Sequence, residues 1–421
     1  MIDTTLAFTL IAGIVFFGFG AEIFFRKTGI PHFLFLILIG ILIGPVLGLI
    51  SRNSFVPLLG LFSTFTLMMV LFYNGMQMQF REILSSSARS LVQVAIYVLV
   101  SVIAIAAVAH IVLGWDIIES LIFGSIIGGE TTVPIMMRVP KVLNQDDNIV
   151  AFLGIEAVMN SILLVILFFV FLGIYQTGSA SLSGAFSTLA ANISVGVIFG
   201  VVLSMAWVLS LNYLKDYRYI YVFTLGLILT TYVLAQASGG SGIMAVLLFG
   251  IMLGNYKGVG SFLHRELKIS GLESQLRNFQ GEMSFLLETF FFVFLGMTFL
   301  IVPAAAVGNF LVGALFVAVL LAVRYLAVNV STHGSTLYKS RTLITLMCAQ
   351  GLTPAILAVV TLTDRLPLSN EFVNIVVFVI LLTNIITAVG SYATMRSNKK
   401  GEKEKVSTTT KRKQADGAVT V

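Results

Sequence analysis

The sequence predicts an all-α, polytopic membrane protein of about 13 transmembrane helices, built as two inverted repeats whose fifth helices are broken. Three observations predict it. Of the 421 residues, 58% are hydrophobic and only 10% charged, and the mean hydropathy is +1.01, far outside soluble composition. The apolar residues fall in runs of about 20, the length that crosses a bilayer. Short strings in the two halves of the chain resemble one another at a constant offset. This composition excludes a soluble enzyme, a nucleic-acid binder and a disulfide scaffold, and the single cysteine, Cys348, has no internal partner. No cofactor is expected. The partner expected is the bilayer.

Apolar runs bounded by Gly, Pro or charge place the segments near residues 5–25, 31–50, 57–78, 90–113, 117–138, 149–173, 185–213, 219–236, 240–256, 284–301, 304–331, 340–363 and 371–395. The first has no basic leading region and no small-residue cleavage site, so it reads as a retained helix and not a signal peptide. Segment two closes on LIGILIGP at Pro45, and segments five and twelve carry Gly and Pro in their middles. Residues 257–282, between segments nine and ten, are polar and expected to lie along the surface. The tail, 396–421, is rich in Lys, Thr and Gly and is expected to be disordered and cytoplasmic.

Cytoplasmic loops of membrane proteins hold an excess of Lys and Arg. With the C-terminus inside and an odd number of spans, the N-terminus is outside. The inside loops and tail then carry 22 of the 25 basic residues, the outside loops only Arg52 and Arg365, and Arg324 alone lies within a span. A wrong segment count would scramble this partition.

The internal similarity joins LIGILIGP of segment two to LLFGIMLGN of segment nine, and MVLFYNGM of segment three to FFVFLGM of segment ten. Both offsets are seven segments. An odd offset reverses a helix's direction through the membrane, so segments one to six and eight to thirteen would be inverted repeats joined by segment seven.

A charge near the bilayer centre is costly, and each buried ionisable group is a functional candidate. Four acids fall within apolar segments: Glu22, Glu130, Glu156 and Glu288. Glu22 stands four residues before Arg26, a helical spacing for an ion pair at the membrane boundary. Glu288 is placed near the cytoplasmic boundary, where a long side chain reaches water. Glu130 and Glu156 are deep. Around Glu130 the string GGETTVP sets Gly128, Gly129 and Pro134 about the acid, with Thr131 and Thr132 adding hydroxyl oxygens. Gly and Pro weaken a helix, and freed backbone groups at mid-membrane are tolerable only where they line a cavity or bind something. In segment twelve, Gly351 and Pro354 break the helix in the same way beside Gln350 and Thr353. In segment six, Glu156 and Asn160 share a helix face, with Ser161 adjacent. Arg324 is the only deep cation and needs a carboxylate partner, Glu156 or Glu130.

These motifs together resemble the monovalent cation:proton antiporter family, of the sodium/hydrogen exchanger type, over roughly residues 5–395. The resemblance rests on GIPHFLFLILIGILIGP, GGETTVP, the string from Glu156 to Ser161, SGGSGIMAVLLFGIMLGN, FFFVFLGM and Arg324, in that order and spacing. It implies a homodimer in which the broken segments five and twelve of each chain cross at mid-membrane. Segments one to three and eight to ten would form the dimerisation domain, four to six and eleven to thirteen a moving core, and segment seven the linker. It also implies that Glu156 and Arg324 are the structural ion pair. The chain departs from the family where relatives usually place an Asp, here Ser161. Arg is common where this chain has Gln350, and an acid where it has Asn74.

Because that Asp is absent, Glu130 is the candidate replacement, with Thr131, Asn160 and Ser161 as further oxygen ligands for a hard alkali cation. A proton and a cation compete for one desolvated carboxylate. Competition at a site open to one side at a time is obligatory exchange, and one cation against one proton moves no net charge. The reading is an electroneutral antiporter of Na⁺ or K⁺ against H⁺ in the cell membrane, and not an enzyme. Two alternatives stand beside it: an uncoupled or altered-substrate ion transporter of the same fold, and a non-transporting membrane sensor or assembly subunit.

Overall fold

The computed structural model describes residues 4–28, 31–49, 52–78, 88–132, 135–136, 145–177, 182–214, 217–264, 270–299 and 303–417. Regular structure among these is wholly helical. The helices are α1 (Thr4–Thr28), α2 (Phe33–Ile41), α3 (Arg52–Gln77), α4 (Ala88–Leu113), α5 (Ile117–Ile127), α6 (Asp147–Thr177), α7 (Leu182–Leu214), α8 (Ile220–Ala237), α9 (Gly242–Gly254), α10 (Tyr256–Phe262), α11 (Ser270–Thr298), α12 (Pro303–Thr332), α13 (Arg341–Leu346), α14 (Leu352–Thr363) and α15 (Ser369–Gly417).

Among the described residues nine helices are long and apolar enough to cross a membrane, and the pair α9–α10, bent by 81°, makes a tenth if it is one span. Three shorter apolar helices remain: α2 with the turn that follows it, α5 and α14. Nine of the 13 predicted segments thus match full-length helices, segment nine matches the bent pair, and segments two, five and twelve match short helices, so helix length alone does not fix the number of crossings. Each short one has a local cause. Pro45 has no N–H to give, so α2 widens into a π-helical turn over Leu42–Val46, in which Leu47 N reaches back to Leu42 O at 2.9 Å. The other two belong to the broken segments five and twelve.

Two boundaries differ from the sequence reading. Segment ten begins at Ser270 and not near 284, inside the stretch expected to lie along the surface. Leu272 and Leu276 recur at helical spacing and bury against Met68 and Phe72 of α3 and Phe249 of α9, while Glu273 and Arg277 pair on the other side. The averaged polarity of 257–282 hides that one-sided stripe. The second difference is the tail, where α15 continues as helix through Gly417 although composition predicts disorder. Lys, Arg, Glu and Gln are good helix formers, and a helix nucleated by an apolar span extends at the cost of propagation alone.

Helix α2 lies against α11, and α9 against α3 and α7; α4 contacts α5, α6 and α12, and α15 contacts α12 and α14. The α2–α11 contact is close because Gly40 faces Gly296 and the Val293 carbonyl, leaving no room for a Cβ on either glycine. Gly75 and Gly250 serve the α3–α9 contact in the same way. Helix α14 also lies against α3 and α11, and α6 against α7. Beneath α5, Phe123 is ringed by Trp115, Phe316 and Phe372, with centroids 4.9–5.3 Å away. That cluster anchors the half-helix whose C-terminal end forms the candidate site.

Candidate functional site

Helix α5 starts on an Asp116 cap, whose Oδ1 accepts from Ile118 N at 2.8 Å. It stops at Ile127, because Gly128 leaves helical geometry (φ −72°, ψ 72°) and Gly129 adopts φ +99°, a conformation that side chains with a Cβ rarely tolerate. The ring and carbonyl of Tyr97 lie against Gly129 where a Cβ would stand. From Gly128 the chain runs non-helical through Thr132. Pro134, named in the sequence motif, lies outside the described residues.

Helix α13 ends at Leu346, and α14 begins at Leu352 after a non-helical stretch. Pro354 falls in the first turn of α14, where a missing N–H breaks no intrahelical bond. Gly351 and the residues before it therefore make the interruption, and Pro354 opens the second half-helix beside the buried Thr353.

The two interruptions cross and are hydrogen-bonded together. Thr132 N donates to Ala349 O at 2.9 Å. Gln350 Nε2 donates to Ile127 O at 2.6 Å, a carbonyl that also accepts from Gly129 N at 2.8 Å. Gly351 N donates to Glu130 Oε2 at 3.0 Å, so the carboxylate lies at the N-terminal end of α14, where backbone N–H groups and the helix dipole favour negative charge. Glu130 is 2% exposed. The side chain of Thr132 packs on Gly351 where a Cβ would stand. The sequence reading gave Glu130 no fixed partner; the structure supplies one, a neutral backbone donor.

Asn160 reaches the same place from α6, its Nδ2 donating to Gly129 O at 2.8 Å. Ser161 is buried and donates back to Ala157 O at 3.1 Å. The structure thus joins Asn160 to the residue preceding Glu130, while the Ser161 hydrogen bond stays within α6.

Of the two carboxylates offered to Arg324, Glu156 takes it. Arg324 Nη1 donates to Glu156 Oε1 at 2.6 Å and Nη2 to Oε2 at 3.1 Å, while Nε donates to Ile344 O at 3.1 Å. The guanidinium lies 4.8 Å from the Tyr97 ring centroid. Gln93 Nε2 donates to Glu156 Oε1 at 3.2 Å, and Ser331 Oγ donates to Gln93 Oε1 at 2.8 Å. Both charges are fully buried and bidentate, the geometry that offsets the cost of desolvating them. Among the described residues no cation pairs with Glu130. Glu22 pairs with Arg26 at 3.0 Å and lies 3.5 Å from His32 Nδ1.

Sequence reasoning missed the support from α15. Asn384 Nδ2 donates to Gln350 O at 2.7 Å, Thr383 Oγ1 accepts from Gln350 N at 3.2 Å, and Thr387 Oγ1 accepts from Cys348 N at 3.1 Å. The signal was present: three polar residues in the apolar run LLTNIIT of segment thirteen, seven segments after Asn160 and Ser161 of segment six. Gln93 and Tyr97, which fix the ion pair and Gly129, carry no such signal.

A family model described as sodium/hydrogen exchanger, transmembrane, matches residues 10–392. The structure of the sodium proton antiporter MjNhaP1 from Methanocaldococcus jannaschii at pH 8 superposes with a TM-score of 0.74 at 21% identity, over 92% of this chain and 100% of that one. An electron-microscopy map of the same antiporter gives 0.68 at 20% identity, over 94% and 98%. At these identities the likeness establishes a shared helical fold.

Proposed function

Because the chain belongs to the sodium/hydrogen exchanger family and exchanges a monovalent cation for protons, we propose that Glu130 is the carboxylate for which the two compete. The observation that carries this is the division of labour between the deep acids. Glu156 is held by Arg324 in a bidentate pair, whereas Glu130 stands buried at the crossing, where among the described residues it accepts from Gly351 N and pairs with no cation. A carboxylate locked to a guanidinium has no reason to release and rebind a proton in each cycle. Thr131, Asn160 and Ser161 are proposed as its further oxygen ligands to the cation. With one titrating carboxylate, one cation replaces one proton and the cycle is electroneutral.

The alternation is proposed to come from movement of the group built on α4–α6 and α12–α15 against the group built on α1–α3 and α8–α11, with α7 as linker. Contacts support two halves related by an axis in the membrane plane. Segment two packs on ten and three on nine, and an offset of seven converts each pair into the other. The chain is proposed to place its C-terminus in the cytoplasm and to work as a homodimer, in keeping with the exposed apolar face of α1 at Phe8, Phe16 and Phe17.

The test is proton flux driven by Na⁺, K⁺ or Li⁺ gradients in proteoliposomes of the purified protein, with Glu130→Gln alongside. Loss of coupled flux in the variant, and wild-type flux indifferent to membrane potential, are expected. Flux that survives Glu130→Gln overturns the assignment. Cation movement without counter-moving protons favours the uncoupled alternative, and cation binding without transport favours the sensor.

A further inference from the structure

The crossing holds more oxygen than its hydrogen bonds use. Three buried amide oxygens, Asn160 Oδ1, Gln350 Oε1 and Asn384 Oδ1, have no hydrogen-bond partner, nor have the hydroxyls of Thr131 and Thr132. The three amides cannot be turned over to relieve this. Each NH₂ group already donates to a carbonyl: Asn160 to Gly129 O at 2.8 Å, Gln350 to Ile127 O at 2.6 Å, and Asn384 to Gln350 O and Ile380 O at 2.7 Å each. A carbonyl only accepts, so reversal would set oxygen against oxygen. The free oxygens must point away from those carbonyls. All three residues are 0–1% exposed, and all bond to backbone within three residues of Glu130 or to Gln350 itself. Native proteins rarely leave several buried acceptors unpaired in one place unless a ligand or water meets them.

We propose that Gln350 and Asn384 are ligands of the transported cation, lending their amide oxygens to a shell completed by Asn160, Thr131 and Glu130. The inference rests on the exchange reading above and names ligands from segments twelve and thirteen that reading does not include. Neutral amide oxygens replace hydration water around a hard alkali ion without adding charge. They alter how tightly the ion is held and which ion is preferred, while the proton count stays with Glu130. The three amides come from three elements, α6, the stretch before α14, and α15, so the shell assembles only when both interruptions are in register.

The experiment compares wild type with Gln350→Met, which keeps the side-chain shape and removes the oxygen, and with Gln350→Glu, which keeps an oxygen and adds charge. Full-length protein in proteoliposomes is assayed with Na⁺, K⁺ and Li⁺, and thermal unfolding is followed with and without each salt at constant ionic strength. For Gln350→Met, the apparent KM for the preferred cation is expected to rise roughly tenfold with kcat little changed, and salt-dependent stabilisation to shrink in parallel. Gln350→Glu is expected to make exchange sensitive to membrane potential. Should Gln350→Met unfold at a lower temperature yet keep its KM and its cation-dependent stabilisation, Gln350 is only a strut and the proposal fails. If Gln350→Met does not fold, an electroneutral Gln350→Glu with unchanged cation affinity overturns it equally. Failure of the Glu130 reading looks different: exchange would persist in Glu130→Gln while Gln350→Met still weakened cation binding.

Discussion

Glu130 and Gly351, 221 residues apart, are joined by a 3.0 Å hydrogen bond from the Gly351 N–H to Glu130 Oε2, so an acid from one interrupted segment caps the half-helix of the other. That bond gives Glu130 a structural as well as a chemical role, and the two are separable. Glutamine in its place keeps an acceptor oxygen for Gly351 and loses the titrating group. Glu130→Gln is therefore expected to shift stability by no more than about 1 kcal/mol while cation-coupled proton flux falls roughly 100-fold or more. Thermal unfolding in detergent and flux in liposomes, on the same preparation, check both halves of the statement.

The Glu156–Arg324 pair is expected to behave in the opposite way. Both side chains are fully buried, and removing either charge strands the other. Glu156→Leu or Arg324→Met alone is expected to cost about 3–5 kcal/mol, whereas the two together should recover much of that loss. A double-mutant cycle from unfolding measurements supplies the coupling energy. Destabilisation of the double variant equal to the sum of the singles would show that the pair contributes nothing as a unit.

Much of this architecture was legible in the sequence, because apolar runs and interrupting glycines report properties that lie along the chain. The broken segments five and twelve were visible as GGETTVP and AQGLTP. That Glu130 would meet Gly351 and Gln350 would meet Ile127 could not be read, since each bond spans more than 220 residues. The early start of α11 was missed because window averages dilute the stripe of Leu272 and Leu276 with Glu273 and Arg277 on the other face. Asn384 was overlooked for a different reason. Polar residues in an apolar span, such as Thr383, Asn384 and Thr387, look alike in sequence whether they face a neighbouring helix or, as here, the backbone of a distant segment.

The α2–α11 contact offers a test that leaves the crossing untouched. Gly40 and Gly296 let the two backbones meet, and a methyl on Gly40 would press on the Val293 carbonyl, which cannot rotate away. Gly40→Ala is expected to cost about 1–3 kcal/mol as an overpacking change. Gly20→Ala, at a position with open space around it, should be nearly neutral. Comparing their unfolding temperatures decides whether close approach, and not glycine as such, is what the α2 site requires.

Asp364, at the end of α14, accepts from Gln176 Nε2 at 3.0 Å. Burial pushes its carboxyl above the ordinary value of 3.8, with the Gln176 hydrogen bond opposing the shift. An acid whose affinity for protons is higher folded than unfolded is most favourable when protonated. Its contribution to stability falls as pH rises from 3.8 through the raised value, and stays unfavourable above it. Asp364→Asn is therefore expected to unfold at a higher temperature than wild type near neutral pH, with the difference shrinking as pH falls through that window. A constant difference across pH would mean that the substitution acts through packing.

The position of Ser161 supplies a test of charge counting. Ser161 lies beside Asn160, whose side chain holds Gly129, and the Ser161 hydroxyl bonds only to the preceding turn of its own helix. Ser161→Asp introduces a second acid into a buried site that holds Glu130. Two neighbouring carboxylates titrate as a coupled pair, and a monovalent cation entering such a site displaces up to two protons. Exchange by Ser161→Asp is then expected to carry net charge, so an imposed membrane potential should speed or slow it according to sign, while wild type stays indifferent. Combining Ser161→Asp with Glu130→Gln should restore electroneutrality with one carboxylate in the new place. If the double variant remains voltage-sensitive, the extra charge comes from elsewhere, and Glu130 is not the group that sets the stoichiometry.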